Sequence, residues 1–169
     1  MKGRIRNIIC ATATAIVAAS CTSNDCPLNN TVSLICGFYN SNDGSAISIG
    51  NTLTVTLRDS IILNRSIGAS IIALPMSYSA ETDTLVFVYS PADSIAGISD
   101  TLTLSKTNQA HFISLECGTK VFHTITAVNH TLRTADKIHR YAIDSIVVSN
   151  PNVNFDGQEN LKIYYTVVQ

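Results

Sequence analysis

A chain of 169 residues suits one domain, and its 14% of charged residues lies well under the ordinary ~25%. Polarity comes instead from 18 Ser and 18 Thr, a balance that disfavours long solvated helices and suits strands with hydroxyls on a wet face. A net charge of −1 without any basic stripe excludes a nucleic-acid partner.

The first twenty residues read as a lipoprotein signal peptide. Lys2, Arg4 and Arg6 form a basic start, and Ile8 to Ala19 is an apolar run shorter than the ~20 residues a membrane span needs. Val17-Ala18-Ala19-Ser20 then leads into Cys21. This resembles a lipobox, where cleavage precedes a cysteine that is lipidated, with Ala18 standing where Leu is usual. The alternative is an ordinary secretory cleavage after Ser20, with Cys21 in a disulfide. Each buried CH₂ contributes ~0.8 kcal/mol and one acyl chain binds only marginally. The two or three chains of a bacterial lipoprotein would hold stably. Loss of the three positive charges in residues 1–20 takes the net charge from −1 to −4. Residues 21–30 read as the lipidated cysteine and a polar linker, and 31–169 as the folded domain.

Of five cysteines, Cys10 leaves with the signal and Cys21 is taken by lipid. Cys26, Cys36 and Cys117 remain in an oxidising compartment. Val32, Leu34, Cys36 and Phe38 alternate onto one strand face, so Cys36 is expected as a buried free thiol. Cys26, in the polar stretch after the anchor, is expected to pair with Cys117. Closing that loop stabilises by ~4–5 kcal/mol in the chain-entropy model.

Strand-like runs follow one another from there. Period-two alternation predicts strands over 31–39 and 52–58, where Leu53, Val55 and Leu57 oppose Thr52, Thr54 and Thr56. Runs at 60–64, 69–74, 84–90, 101–105, 110–116, 121–127, 142–149 and 160–168 continue the series. Turn residues separate them: Asn42-Asp43-Gly44, Gly68, Pro75, Pro91, Gly97, Gly118, Pro151 and Asp156-Gly157. Residues 131–140 are polar, with room for a single helical turn. The pattern predicts an all-β fold: an antiparallel β-sandwich, immunoglobulin-like or related, of nine to ten short strands.

No catalytic residue, metal or cofactor is expected. His111, His123, His130 and His139 are too widely spaced for a local metal motif and read as solvent-facing or hydrogen-bonded. There is no G-x-S-x-G elbow, no phosphate-binding or dinucleotide-binding glycine motif and no C-x₂-C pair. Carboxylates are sparse, Glu81, Glu116 and Glu159 among them, whereas a glycosidase needs two facing across a cleft. One tripeptide recurs, Asp-Ser/Thr-aliphatic, with its hydroxyl at Ser60, Thr84, Ser94, Thr101 and Ser145. It resembles the acceptor motif for O-glycosylation of exported Bacteroidetes proteins. Asp ending a turn before a strand that opens on Ser or Thr would produce the same tripeptides.

A further set of motifs spans the mature chain. Cys21 and Cys26 are followed by Gly37-Phe38-Tyr39-Asn40, Asn51 to Val55, Leu74-Pro75-Met76 and Asp100 to Leu104. Phe112-Ile-Ser-Leu-Glu116-Cys117-Gly118, Ile143 to Ile146, Asn150-Pro151 and Glu159 to Ile163 complete it. In this order they resemble a family of small Bacteroidetes lipoproteins known as domain of unknown function 6452. The resemblance implies no activity and no catalytic residues. The function expected is that of an outer-membrane-anchored lipoprotein. It would be a non-enzymatic binding or structural module that meets an envelope protein or glycan. The alternative is a hydrolase acting on envelope glycans or esters. Thr22-Ser23-Asn24-Asp25 after the anchor carries one acidic residue, which favours the periplasmic side over the cell surface.

Overall fold

The structure, a computed structural model, describes residues 31–93 and 97–168. The expected signal peptide over residues 1–20, Cys21, Cys26 and Ser94 lie outside the described residues. Ten strands follow in order: β1 Leu34–Asn40, β2 Thr52–Leu57, β3 Ser60–Ser66, β4 Ile71–Leu74 and β5 Thr82–Ser90, then β6 Ile98–Ser114, β7 Gly118–His130, β8 Tyr141–Val148, β9 Asn152–Val153 and β10 Leu161–Val167. They form two sheets, β4-β1-β10-β8 and β3-β2-β5-β6-β7-β9. This is the expected sandwich, with one difference. β1 and β10 pair in parallel, Cys36 opposite Leu161 and Phe38 opposite Ile163, whereas every other pair is antiparallel. Chain ends from opposite halves of the sequence thereby close the smaller sheet at its centre.

Period-two alternation places one side-chain set between the sheets. Leu34, Cys36 and Phe38 of β1 and Leu161, Ile163 and Tyr165 of β10 are buried there. They meet Leu53 and Val55 of β2, Leu85 and Phe87 of β5, and Leu102 and Leu104 of β6. Each such side chain contributes roughly 1.5–3 kcal/mol on burial. Tyr165 is the hub at one end: its ring meets Phe38 edge-on at 5.5 Å and Tyr89 at 6.0 Å, and its hydroxyl accepts from Tyr89 at 3.0 Å. The register puts Thr54, Thr56, Thr84, Thr101, Thr103 and Ser105 on the opposite, outer face of the larger sheet. Much of the chain's hydroxyl content is therefore its wet strand faces.

Several boundaries differ from those the sequence predicts, for physical reasons. The runs at 101–105 and 110–116 are one strand, β6, paired with β7 from Leu102 to Ser114. Polar Lys106 and Asn108 at inward positions interrupt the apolar alternation without interrupting the ladder. Two-residue β9 is too short to show any period. Residues 131–140 contain no helical turn. Asp136 instead accepts the backbone N–H of Ile138 at 2.8 Å and of His139 at 2.7 Å, closing a local turn with its own side chain. The β2–β3 turn is Arg58-Asp59, both with positive φ (49° and 66°), although neither is glycine.

Candidate functional site

Beyond Leu104, the inward row of β6 turns polar and builds the densest group of chemistry-bearing side chains described. Lys106 is fully enclosed. Its ammonium donates to the carbonyls of Ser77 and Ala80, both at 2.6 Å, and to Asn108 Oδ1 at 2.7 Å. The Asp83 carboxylate of β5 lies 3.6 Å away, and its Oδ2 also accepts the Ser77 N–H at 3.0 Å. Asn108 Nδ2 donates to Ala80 at 2.9 Å, which turns its oxygen toward His123 of β7. The His123 Nδ1 contact of 2.7 Å to that oxygen must then be a donation. Burial, followed by the Lys106 charge, pushes the imidazole down to about 4, against the smaller upward pull of Asp83. His123 is therefore neutral at ordinary pH. Burial also lowers the Lys106 amine, and Asp83 opposes that shift. All three ammonium protons are engaged and the site is closed to solvent. The cluster pins the β4–β5 loop over the sheet and offers no reactive group to a substrate.

A second polar plug closes the other end. Asp100, wholly buried, takes two bonds from Arg133, at 2.8 and 3.0 Å, and one from the Ile143 N–H at 3.2 Å. Arg133 also donates to the Tyr141 carbonyl and lies over the Tyr89 ring at 6.0 Å. A bidentate guanidinium–carboxylate pair of this kind joins the 131–140 connection to both sheets.

The residues singled out from sequence are scattered. His111 stacks on Phe122 at 4.4 Å. His130 contacts the Asp144 carbonyl at 3.1 Å, and His139 contacts Asp136 at 3.3 Å. Glu159 accepts from the Tyr39 hydroxyl at 2.8 Å, in space left by Gly37, where a Cβ would meet its carboxylate at 1.9 Å. Glu116 is exposed in the β6–β7 turn, and Glu81 is exposed beside β5. Among the described residues no three of His, Cys, Asp and Glu are grouped to hold a metal ion. No described helix is long and apolar enough to cross a membrane.

Cys36 is a free, wholly buried thiol, pushed well above its ordinary range by that burial. Cys117 is disulfide-bonded, and Cys26, its expected partner, lies outside the described residues. Ser60 and Thr84 are exposed, while Thr101 and Ser145 are half-buried. Only Asp59 among their preceding aspartates ends a turn. Asp83 and Asp100 are inward, buried strand residues, so Asp83-Thr84-Leu85 and Asp100-Thr101-Leu102 follow from strand alternation around the two polar plugs.

Among the described residues, four of the surface cavities measure about 260 to 500 Å³. The largest of these four, lined by Asn40, Asn42, Ile47, Ser48, Tyr141 and Val167, has no carboxylate and no histidine in its lining, and neither do the other three. A smaller one joins Thr31 and Val32 to Pro75, Tyr78, Lys120 and Val121, so the chain enters β1 alongside the far half of the β6–β7 hairpin.

These features define a two-sheet β-sandwich with polar plugs at both ends and a long hairpin arm. The chain belongs to a family of unknown function, DUF6452, whose model matches residues 48–165. The match takes in β2 to most of β10, while the Gly37 to Asn40 motif and Cys26 precede it. No curated protein and no solved structure matches the chain.

Proposed function

We propose that this chain is an outer-membrane lipoprotein of a Bacteroidetes envelope, held by acyl chains such as palmitate on Cys21 once residues 1–20 are removed. Its sandwich serves as a non-enzymatic binding or structural module toward an envelope protein or glycan, on the periplasmic side. The observation that carries the reading is the basic, short apolar leader ending at Cys21. The domain chemistry supports the module: the buried Lys, His and Asp groups are spent on fixing loops, and four cavities among the described residues are lined without an acid–base pair.

A Cys26–Cys117 disulfide fits this arrangement. Cys36 is free, and Thr31 shares a cavity with Lys120, three residues past Cys117. The five residues from Cys26 to Thr31 can span at most about 18 Å, ample for that approach. Fractionation of the envelope tests the anchor. The native chain is expected in the outer-membrane fraction and the Cys21→Ala chain in the soluble periplasm. A Cys21→Ala chain that still sediments with outer membrane would contradict it.

A further inference from the structure

We infer that the tip of the β6–β7 hairpin is a membrane-contact surface, on which Leu115 and Phe112 enter the interface of the bilayer that holds the acyl chains. The inference rests on the reading of Cys21 as the anchor.

The tip is built to project. β6 and β7 continue their ladder to Ser114 and Gly118, past the last core residues, and close through Leu115-Glu116-Cys117. Gly118 (φ 69°), the first residue after this loop, takes the left-handed conformation that lets the chain rejoin the ladder opposite Ser114, and Ser114 Oγ accepts the Cys117 N–H at 3.1 Å. The turn is therefore set by its own bonds, yet it presents Leu115 at 90% exposure and Phe112 at 61%. Tyr78, 70% exposed, lies on the same end, across a cavity from Lys120 and Val121.

Chain length says what covers this end. Thr31, the first described residue, lines a cavity with Lys120 and Val121, so the segment joining it to Cys21 begins at this end. Ten residues separate Thr31 from Cys21, at most about 36 Å of extended chain. With Cys26 bound to Cys117 the leash is shorter. Five residues reach at most about 18 Å, and a disulfide adds about 6 Å between Cα atoms. The tip is then within about 24 Å of the acylated residue. Exposed Leu and Phe on a leash that short lie at the depth of the interface, and the Lys120 amine can reach the headgroups while its stem stays among apolar atoms.

The protein contains no tryptophan, so a single introduced one reports alone. The full lipidated chain carrying Leu115→Trp is reconstituted into vesicles of phosphatidylethanolamine and phosphatidylglycerol with brominated acyl chains. Leu132→Trp is the comparison. Leu132 is 86% exposed but follows β7 at the opposite end, roughly 40 Å from the tip along β6 at ~3.4 Å per residue. Phe112→Trp is a second reporter within the tip. The expected result is several-fold stronger quenching and a blue shift for both tip reporters, with Leu132→Trp unaffected. Chains that float with the vesicles while all three reporters are equally unquenched overturn the inference and leave the anchor standing. Chains that do not float overturn the anchor, and this inference with it.

Discussion

Lys106 and His123 occupy positions where alternation asks for aliphatic side chains, and both are enclosed. Lys106 is ion-paired with the buried Asp83 carboxylate, and replacing one member of such a pair leaves the other charge buried alone. Lys106→Met is expected to cost about 3–5 kcal/mol in urea unfolding. Adding Asp83→Asn to it should recover part of that loss, because the stranded carboxylate is gone. His123 carries a pH signature. Its folded value of about 4 lies below the ordinary 6.5, so between those limits the unfolded chain binds the extra proton. The contribution is intact above pH 6.5 and is lost as pH falls toward 4, by about 3 kcal/mol at 1.36 kcal/mol per unit. Unfolding midpoints measured across that window should fall in the native chain and stay flatter in His123→Gln. Equal slopes would contradict the buried neutral imidazole. Individual residues were only partly legible in the sequence. Cys36 was, because it shares a strand face with Leu34 and Phe38. The Lys106 cluster was not, although a charge two positions after Leu102 and Leu104 on one face was the signal available. Asn160 shows the same limit. It opens the run 160–168 read as a strand, yet its side chain accepts from Ile35 at 2.9 Å and donates to the Asn150 and Asn152 carbonyls, at 3.1 and 2.9 Å.

At the scale of elements, turns and strands with local chemistry were the readable part. Asn42-Asp43-Gly44, Gly68, Gly118 and Asp156-Gly157 all fall where φ is positive or the chain reverses. The Arg58-Asp59 turn was not readable. A two-residue hairpin loop with both φ positive favours Asn-Gly, and here it is held by pairing on either side, Leu57 with Ser60. Asp59→Gly should therefore stabilise the domain by about 1 kcal/mol, as a rise in the urea midpoint. A fall would mean that the Asp59 side chain contributes more than its backbone strain costs. Parallel pairing of β1 with β10 was also hidden, since nothing local distinguishes a strand's partner. The hairpin arm bears on the disulfide. If Cys26 closes onto Cys117, reductant should lower stability by about 4–5 kcal/mol. Cys26→Ser should show the same loss and no further response to reductant.

For the whole molecule, fold class followed from repeated two-residue periods separated by turn chemistry, and those periods persist in both sheets. Function did not follow, because the family itself has none assigned and the interior chemistry is structural. What distinguishes the molecule is asymmetry between its ends. One carries Thr31, the disulfide-bonded Cys117 and an apolar tip; the other carries Asp100, Arg133 and the tyrosine cluster. The acceptor-like hydroxyls of Ser60, Thr84, Thr101 and Ser145 lie on faces and edges away from the core, and Ser94 lies outside the described residues. Sugar on any of them adds to the mass of the protein taken from its own host. The most direct measurement is the intact and N-terminal peptide mass of the chain extracted from that host's envelope. The account predicts a mature chain beginning at Cys21 with acyl groups on that cysteine. A mature chain that begins elsewhere, or whose Cys21 carries no lipid, would contradict it.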